Sequence, residues 1–343
     1  MKALIVGDYH ATPQELKECK ALADLIYRSV VEHEVELLIL LGDQYHHHAI
    51  ANTAVIDFWQ GFLARYRCDK PKHLKQISML VGNHDFYSPT IMKPHTLITH
   101  IDPLVNTYEE QWPQIVDEPT YMCPNVSTMP YYPDPEEFLK DAIRLKERCP
   151  DNEVLICHQT FNGATFSEGF YAKDAVNPAS VPFKYIISGH IHNQHAFGNV
   201  WYPGSPRWRT LSDANEHKYI YVVDLAKGID IKAKIPTYPT CRRIVKLRVE
   251  EFVTPLSLPV ETENIDYRVD IYGSQTFITE QTLYYKSKLN ARCRPFPTNK
   301  KTARLTESDG IIESFNKYSN NFKAPKGTDN NLLLREAGGR LNG

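Results

Sequence analysis

No apolar run in the 343 residues approaches the roughly 18 needed to cross a bilayer, which leaves no candidate transmembrane helix. No export leader is expected either. Met1-Lys2-Ala3 leads straight into Leu4-Ile5-Val6 and a Gly-Asp pair, so a cytoplasmic protein without membrane contact is expected. Seven cysteines, an odd number without a C-x-x-C pair, are expected as free thiols in a reducing compartment rather than as a disulfide framework. Neither a G-x-x-x-x-G-K phosphate loop nor a Ser-His-Asp or Cys-His arrangement occurs, so nothing points to a P-loop or a nucleophilic triad. Formal net charge is only −2, whereas the 42% hydrophobic content is ample for a full α/β core with an appendage.

What the chain does have is a recurring strand ending. Four apolar runs stop at a glycine followed by metal-ligand residues: ALIVGDYH with Asp8 and His10, LLILLGDQYH with Asp43 and His46, ISMLVGNHD with Asn83, His84 and Asp85, and YIISGHIH with His190 and His192. Short apolar runs of this kind read as buried strands, and open α/β sheets gather ligands at the carboxyl ends of their strands. Glycine suits the stop because it allows backbone angles and close approach that a Cβ would block. A fifth run, EVLICHQ, ends in His158, with Cys157 pointing to the opposite face and into a core. Turn-opening or helix-capping would account for Asp8, Asp43 and Asn83 alone, but not for the histidines beside them. Carboxylates, one amide oxygen and imidazoles together suit Mn²⁺ or Fe²⁺, with Zn²⁺ as an alternative, better than the oxygen cage of Ca²⁺ or a thiolate zinc site.

The order D-x-H, G-D-x-x-H, G-N-H-D, H-Q, G-H-x-H resembles the calcineurin-like metallophosphoesterase superfamily over roughly residues 1 to 235. Within it, GDQYH, CHQ, GHIH, the WYPGSP segment with its Y-x-G-S from Tyr202 to Ser205, and YIYVVDL resemble SbcD-type double-strand-break-repair nucleases and their bacteriophage relatives. The resemblance implies a two-sheet αββα sandwich with a small α/β C-terminal cap. It implies two divalent ions, Mn²⁺ foremost and Mg²⁺, Fe²⁺ or Zn²⁺ as alternatives, one held by Asp8, His10 and His192, the other by Asn83, His158 and His190, with Asp43 bridging. His84 is then expected to face the scissile phosphate, His46 to orient or assist it, and Asp85 to serve structure. The activity implied is metal-dependent phosphodiester hydrolysis of DNA ends and single-stranded DNA, with an SbcC-type coiled-coil ATPase as partner, homodimerisation, and a bacterial or phage-infected cytoplasm as the setting. A phosphoesterase acting on nucleotides, cyclic nucleotides or phosphoproteins is the alternative, and a scaffold without chemistry is weakened by the complete ligand set. Two departures stand out: Ala-Thr-Pro after His10, and Arg207 to Arg209 where relatives carry an acidic residue followed by arginine.

The remaining histidines read more plainly. His47 and His48 extend His46 into a triplet in a loop, while His33, His73, His95, His100, His195 and His217 are assigned no ligand role. Apolar residues at helical spacing predict helices over 14–33, 49–66 and 135–148, the last opened by Asp134-Pro135. The strand-rich stretch that follows predicts an antiparallel second half of the sandwich.

These readings divide the chain into a catalytic domain over residues 1–236, a capping subdomain over 237–294 that begins after the Pro-rich IPTYPTC, and a linker and tail over 295–343. Residues 292–298 read as the start of that linker. Residues 284–343 hold 12 Lys and Arg against 5 Asp and Glu, a balance suited to phosphates or an acidic partner. Candidate DNA contacts are Arg207, Arg209, Lys300 and Lys301. A short helix from Ser308-Asp309, with Ile311, Ile312 and Phe315, is the expected ATPase contact.

Overall fold

Side-chain alternation sets the layers of the fold. In the strand Lys2–Val6, Ala3 and Ile5 enter one core while Leu4 and Val6 enter another, and in Leu37–Leu40 the same split separates Leu37 and Ile39 from Leu38 and Leu40. Both faces are therefore buried, and the runs are continuously apolar for that reason. The computed structural model describes residues 1–48, 50–100, 113–167, 170–253 and 264–298.

One six-stranded sheet runs in the spatial order Asp230–Pro236, Tyr219–Asp224, Lys2–Val6, Leu37–Leu40, Gln76–Leu80, Gln114–Val116. The second runs His195–Phe197, Val200–Tyr202, Tyr185–Gly189, Val154–His158, Val126–Thr128, Thr120–Cys123. Between them lies a core of Ala3, Ile5, Ile39, Leu80, Val154, Ile156, Ile187, Trp201 and Tyr221. Helices α1 (Leu16–Glu32) and α2 (Thr53–Cys68) cover the outside of the first sheet, burying Leu22, Ile26, Trp59 and Phe62. Helix α3 (Pro135–Arg148) covers the outside of the second with Phe138, Ala142 and Leu145. This is the expected αββα sandwich. Each fully buried Leu, Ile or Phe contributes roughly 1.5–3 kcal/mol, so truncating Leu22 to Ala is expected to cost about 2–5 kcal/mol. Helix α3 begins where its cap requires: Asp134 accepts a hydrogen bond from the backbone N–H of Glu136 at 2.8 Å, and Pro135 opens the first turn.

Two expectations need correction. The centre of the second sheet is parallel, since Tyr185–Gly189 pairs in parallel with both Val154–His158 and Val200–Tyr202, and antiparallel pairing is confined to its edges. Parallel strands are what bring His158 and His190 out at the same end. Residues 292–298 are not a linker throughout, because Arg292–Pro297 is a strand pairing in parallel with Ile265–Gly273. Pro295 and Pro297 are tolerated there because the strand lies at a sheet edge.

The C-terminal unit is a three-stranded parallel sheet, Arg243–Glu250, Ile265–Gly273 and Arg292–Pro297, backed by α4 (Gln275–Leu289). It is anchored to the sandwich: Cys241 and Ile244 join the α1 core, and the Asn215 side chain exchanges hydrogen bonds with the backbone of Lys246 at 3.0 and 3.1 Å. Lys300, Lys301 and the helix expected from Ser308 lie outside the described residues. Among the described residues, no helix is long and apolar enough to cross a membrane.

Candidate metal centre

The strand endings converge on one rim, and the backbone there is held in unusual conformations. His10 (φ 48°), Asp43 (φ 52°) and His190 (φ 79°) all occupy the left-handed region, at a cost of about 1–3 kcal/mol each. Cross-loop hydrogen bonds hold them: His10 N–H donates to the Asp43 carbonyl at 2.7 Å, and His190 N–H to Asp8 Oδ1 at 3.1 Å. The glycines prove to be spacing devices. A Cβ on Gly82 would lie 2.2 Å from Asp43 Oδ1, and one on Gly42, whose φ is +117°, would lie 2.3 Å from His158 Nδ1.

The ligand atoms fall into two groups on either side of Asp43. On one side, His10 Nε2 is 3.0 Å from His192 Nε2, which lies 3.8 Å from Asp8 Oδ2. On the other, Asn83 Oδ1 sits between His190 Nδ1 at 2.7 Å and His158 Nε2 at 3.1 Å. Asp43 turns one oxygen to each: Oδ2 is 3.5 Å from His10 Nε2 and Oδ1 is 3.4 Å from His158 Nε2. A carboxylate so placed is suited to bridging two ions. Within the donor set, Asp8, His10 and His192 cluster within 4.8 Å, as do Asp43, His158 and His190, and as do His10, His46 and His84.

Surrounding groups fix tautomers and orientations. His158 Nδ1–H donates to the Leu41 carbonyl at 2.8 Å, which frees Nε2 to act as a ligand. Tyr131 stacks on His190 at 5.5 Å. Behind His192, buried Asp213 lies 3.7 Å from Nδ1, and buried Lys218 donates 2.8 Å bonds to Asp213 Oδ1 and to the His192 carbonyl. Asp85 is fully buried and accepts from the backbone N–H groups of Gly82 and Tyr45, both at 3.0 Å, so it ties the third motif to the second. His84 N–H donates to Asp43 Oδ1 at 2.9 Å, and its Nδ1–H to the His46 carbonyl at 2.7 Å.

The electrostatics call for positive charge. Burial raises Asp8 above the usual carboxylate range. Burial also opposes ionisation of Asp43, but His158 and His10 outweigh it and hold this carboxylate well below that range. Burial would lower His158, yet Asp43 and Asp8 push it up to about 9; His190, buried beside His158, falls to about 3. Asp8 Oδ2 and His10 Nδ1 are buried without a hydrogen-bond partner. Two enclosed carboxylates, converging imidazoles and an orphaned carboxylate oxygen fit divalent cations.

All seven expected ligands thus come together, with His84 and His46 beside them. His46 meets His84 through its backbone carbonyl and by ring packing at 5.6 Å. The arginines do not behave as surface DNA contacts. Arg207 is fully buried and ion-paired with Glu15 and Glu18 at 2.8 Å, while the Arg209 side chain is 9% exposed and paired with Glu15. Each lies inside a network tying the YPGSP segment to α1, where an unpaired guanidinium would be costly. Asp213, Lys218 and Tyr131 were missed by sequence reading, since a lone Asp or Lys in a polar turn and a Tyr before a Pro-Asp turn carry no ligand-like spacing.

A family model described as calcineurin-like phosphoesterase matches residues 1–194, which include every one of these ligands. The chain belongs to that family. No curated protein matches the chain. Membership of the calcineurin-like phosphoesterases implies metal-dependent phosphoester hydrolysis, and Asp8, His10 and His192, and Asp43, His158 and His190 with Asn83 Oδ1 between the last two, are grouped so that they could hold metal ions.

Proposed function

We propose that the protein is a phosphodiesterase acting on DNA, the nuclease subunit of an SbcCD-type recombination and repair complex with Mn²⁺ as its metal. The observation carrying the diester chemistry is Asp43, with one oxygen toward each ligand group and a hydrogen bond accepted from the backbone N–H of His84. When bound, two divalent ions would supply the positive charge that activates water and neutralises phosphate oxygens. The chain's own residues do the rest. Because a carbonyl can only accept, the His46 carbonyl keeps a proton on His84 Nδ1, so His84 can give up a proton only from Nε2 and must enter the step as the imidazolium. As a water oxygen forms its bond to phosphorus and the bond to the leaving oxygen breaks, imidazolium His84 gives its Nε2 proton to that oxygen and is left neutral, while the proton shed by the attacking water passes to solvent, from which His84 is reprotonated.

Support for DNA as substrate is the GDQYH, CHQ, GHIH and YPGSP sequence pattern together with the excess of 12 Lys and Arg over 5 Asp and Glu in residues 284–343. An SbcC-type ATPase contact through the tail and homodimerisation belong to the same reading. One observation favours the second reading, a phosphoesterase for nucleotides, cyclic nucleotides or phosphoproteins: Arg207 and Arg209 are spent on internal ion pairs. The test is incubation of purified protein, and of an Asp8→Ala/His84→Ala control, with labelled duplex and single-stranded DNA in Mn²⁺ or Mg²⁺. Metal-dependent degradation lost in the control is expected. Intact DNA alongside turnover of small diesters would move the assignment to the second reading.

A further inference from the structure

The His46-His47-His48 triplet does more than fill a loop. His48 is half-buried, and its ring lies against that of His84 with centroids 4.9 Å apart and planes 14° from parallel. The His46 ring packs on the same imidazole at 5.6 Å and 8°, and His10 meets it edge-on at 4.8 Å and 89°. The hydrogen bond from Nδ1 to the His46 carbonyl fixes one direction only, leaving the ring free to swing about that axis. Near-parallel rings remove the swing. His47, by contrast, is exposed and meets His46 edge-on at 4.7 Å.

We propose that His48 is a positioning residue that clamps the His84 ring so that Nε2 faces the leaving oxygen of the diester. The inference rests on His84 as the proton donor described above, and it holds for any diester with a basic leaving group. His48 itself carries no proton in this role, since the clamp is the flat ring. A phenyl ring should therefore replace it, whereas alanine should not.

Leaving-group dependence tests this. A well-placed acid matters for an alkoxide leaving group and much less for 4-nitrophenolate. With Mn²⁺-loaded protein, kcat and KM would be measured on thymidylyl-thymidine and on bis(4-nitrophenyl) phosphate, for wild type and the His48→Ala, His48→Phe and His47→Ala variants. His48→Ala should lower kcat about 10-fold on the dinucleotide and less than about threefold on the nitrophenyl ester, with KM and metal content unchanged. His48→Phe should return to within about threefold of wild type on both, and His47→Ala should match wild type. Equal losses on the two esters, or His48→Phe no better than His48→Ala, would overturn the proposal. If the alanine variant loses metal or fails to fold, His48→Phe against His48→Leu makes the same comparison. Uncut DNA with both small diesters turned over would defeat the DNA reading and leave this one standing.

Discussion

The two ligand groups at the rim are built differently. Around Asn83, an amide oxygen is enclosed by two imidazoles, one fixed by the Leu41 carbonyl and the other stacked by Tyr131. Around Asp8, one carboxylate oxygen and one ring nitrogen make no hydrogen bond, and the His192 side chain is 28% exposed. Preorganised donors lose less freedom on binding, so the Asn83 group should hold its ion more tightly and the Asp8 group should exchange it faster. Asp43 presents one carboxylate oxygen to each group.

Removing that shared residue is the largest break. Asp43→Ala should lower kcat on small diesters on the order of 10³-fold, about 4 kcal/mol of barrier. A loss below tenfold would show that the groups act separately. Chelation comes next, because each group takes ligands from both sheets: Asp8 and His10 face His192, and Asn83 faces His158 and His190. An ion present at 100 times its Kd adds about 2.7 kcal/mol per site, so chelator should lower the unfolding temperature by several degrees. An unchanged midpoint would contradict ions that tie the sheets together.

Acid probes the floor beneath both groups. Tyr45, two residues after Asp43, meets His100 at 3.1 Å, and burial pushes the His100 imidazole down to about 4. The unfolded chain takes up a proton near pH 6.5 that the folded imidazole refuses. Stability therefore falls as pH drops from about 6.5 toward 4, by at most about 3 kcal/mol. His100→Gln should lose less stability than wild type between pH 7 and 4.5 in thermal unfolding, and an equal loss would rule out His100 as the cause. The finest test of asymmetry is Asp213→Asn, which should weaken the ion of the Asp8 group about 10–100-fold and spare the other. Metal titration showing equal weakening of both sites would erase the distinction.

Much of this site was legible because its signal is local. An apolar run, a glycine and a ligand residue lie consecutively in sequence, and helical spacing around Leu22 or Trp59 is equally self-contained. What was not legible depends on partners distant in sequence. Arg207 in a polar loop looks like a surface cation until Glu15 and Glu18 close on it. Strand direction in the second sheet is set by neighbours rather than by residues, and two prolines in Arg292–Pro297 disguise an edge strand as a linker. Asp213 and Lys218 acquire meaning only behind His192.

The central claim is that Asp43 joins two ions into one centre. Electron paramagnetic resonance of Mn²⁺-loaded protein tests it most directly. The account predicts an exchange-coupled two-manganese spectrum in the wild type that collapses to isolated Mn²⁺ signals in Asp43→Ala. A wild-type spectrum of isolated Mn²⁺ alone, at two ions per chain, would contradict it.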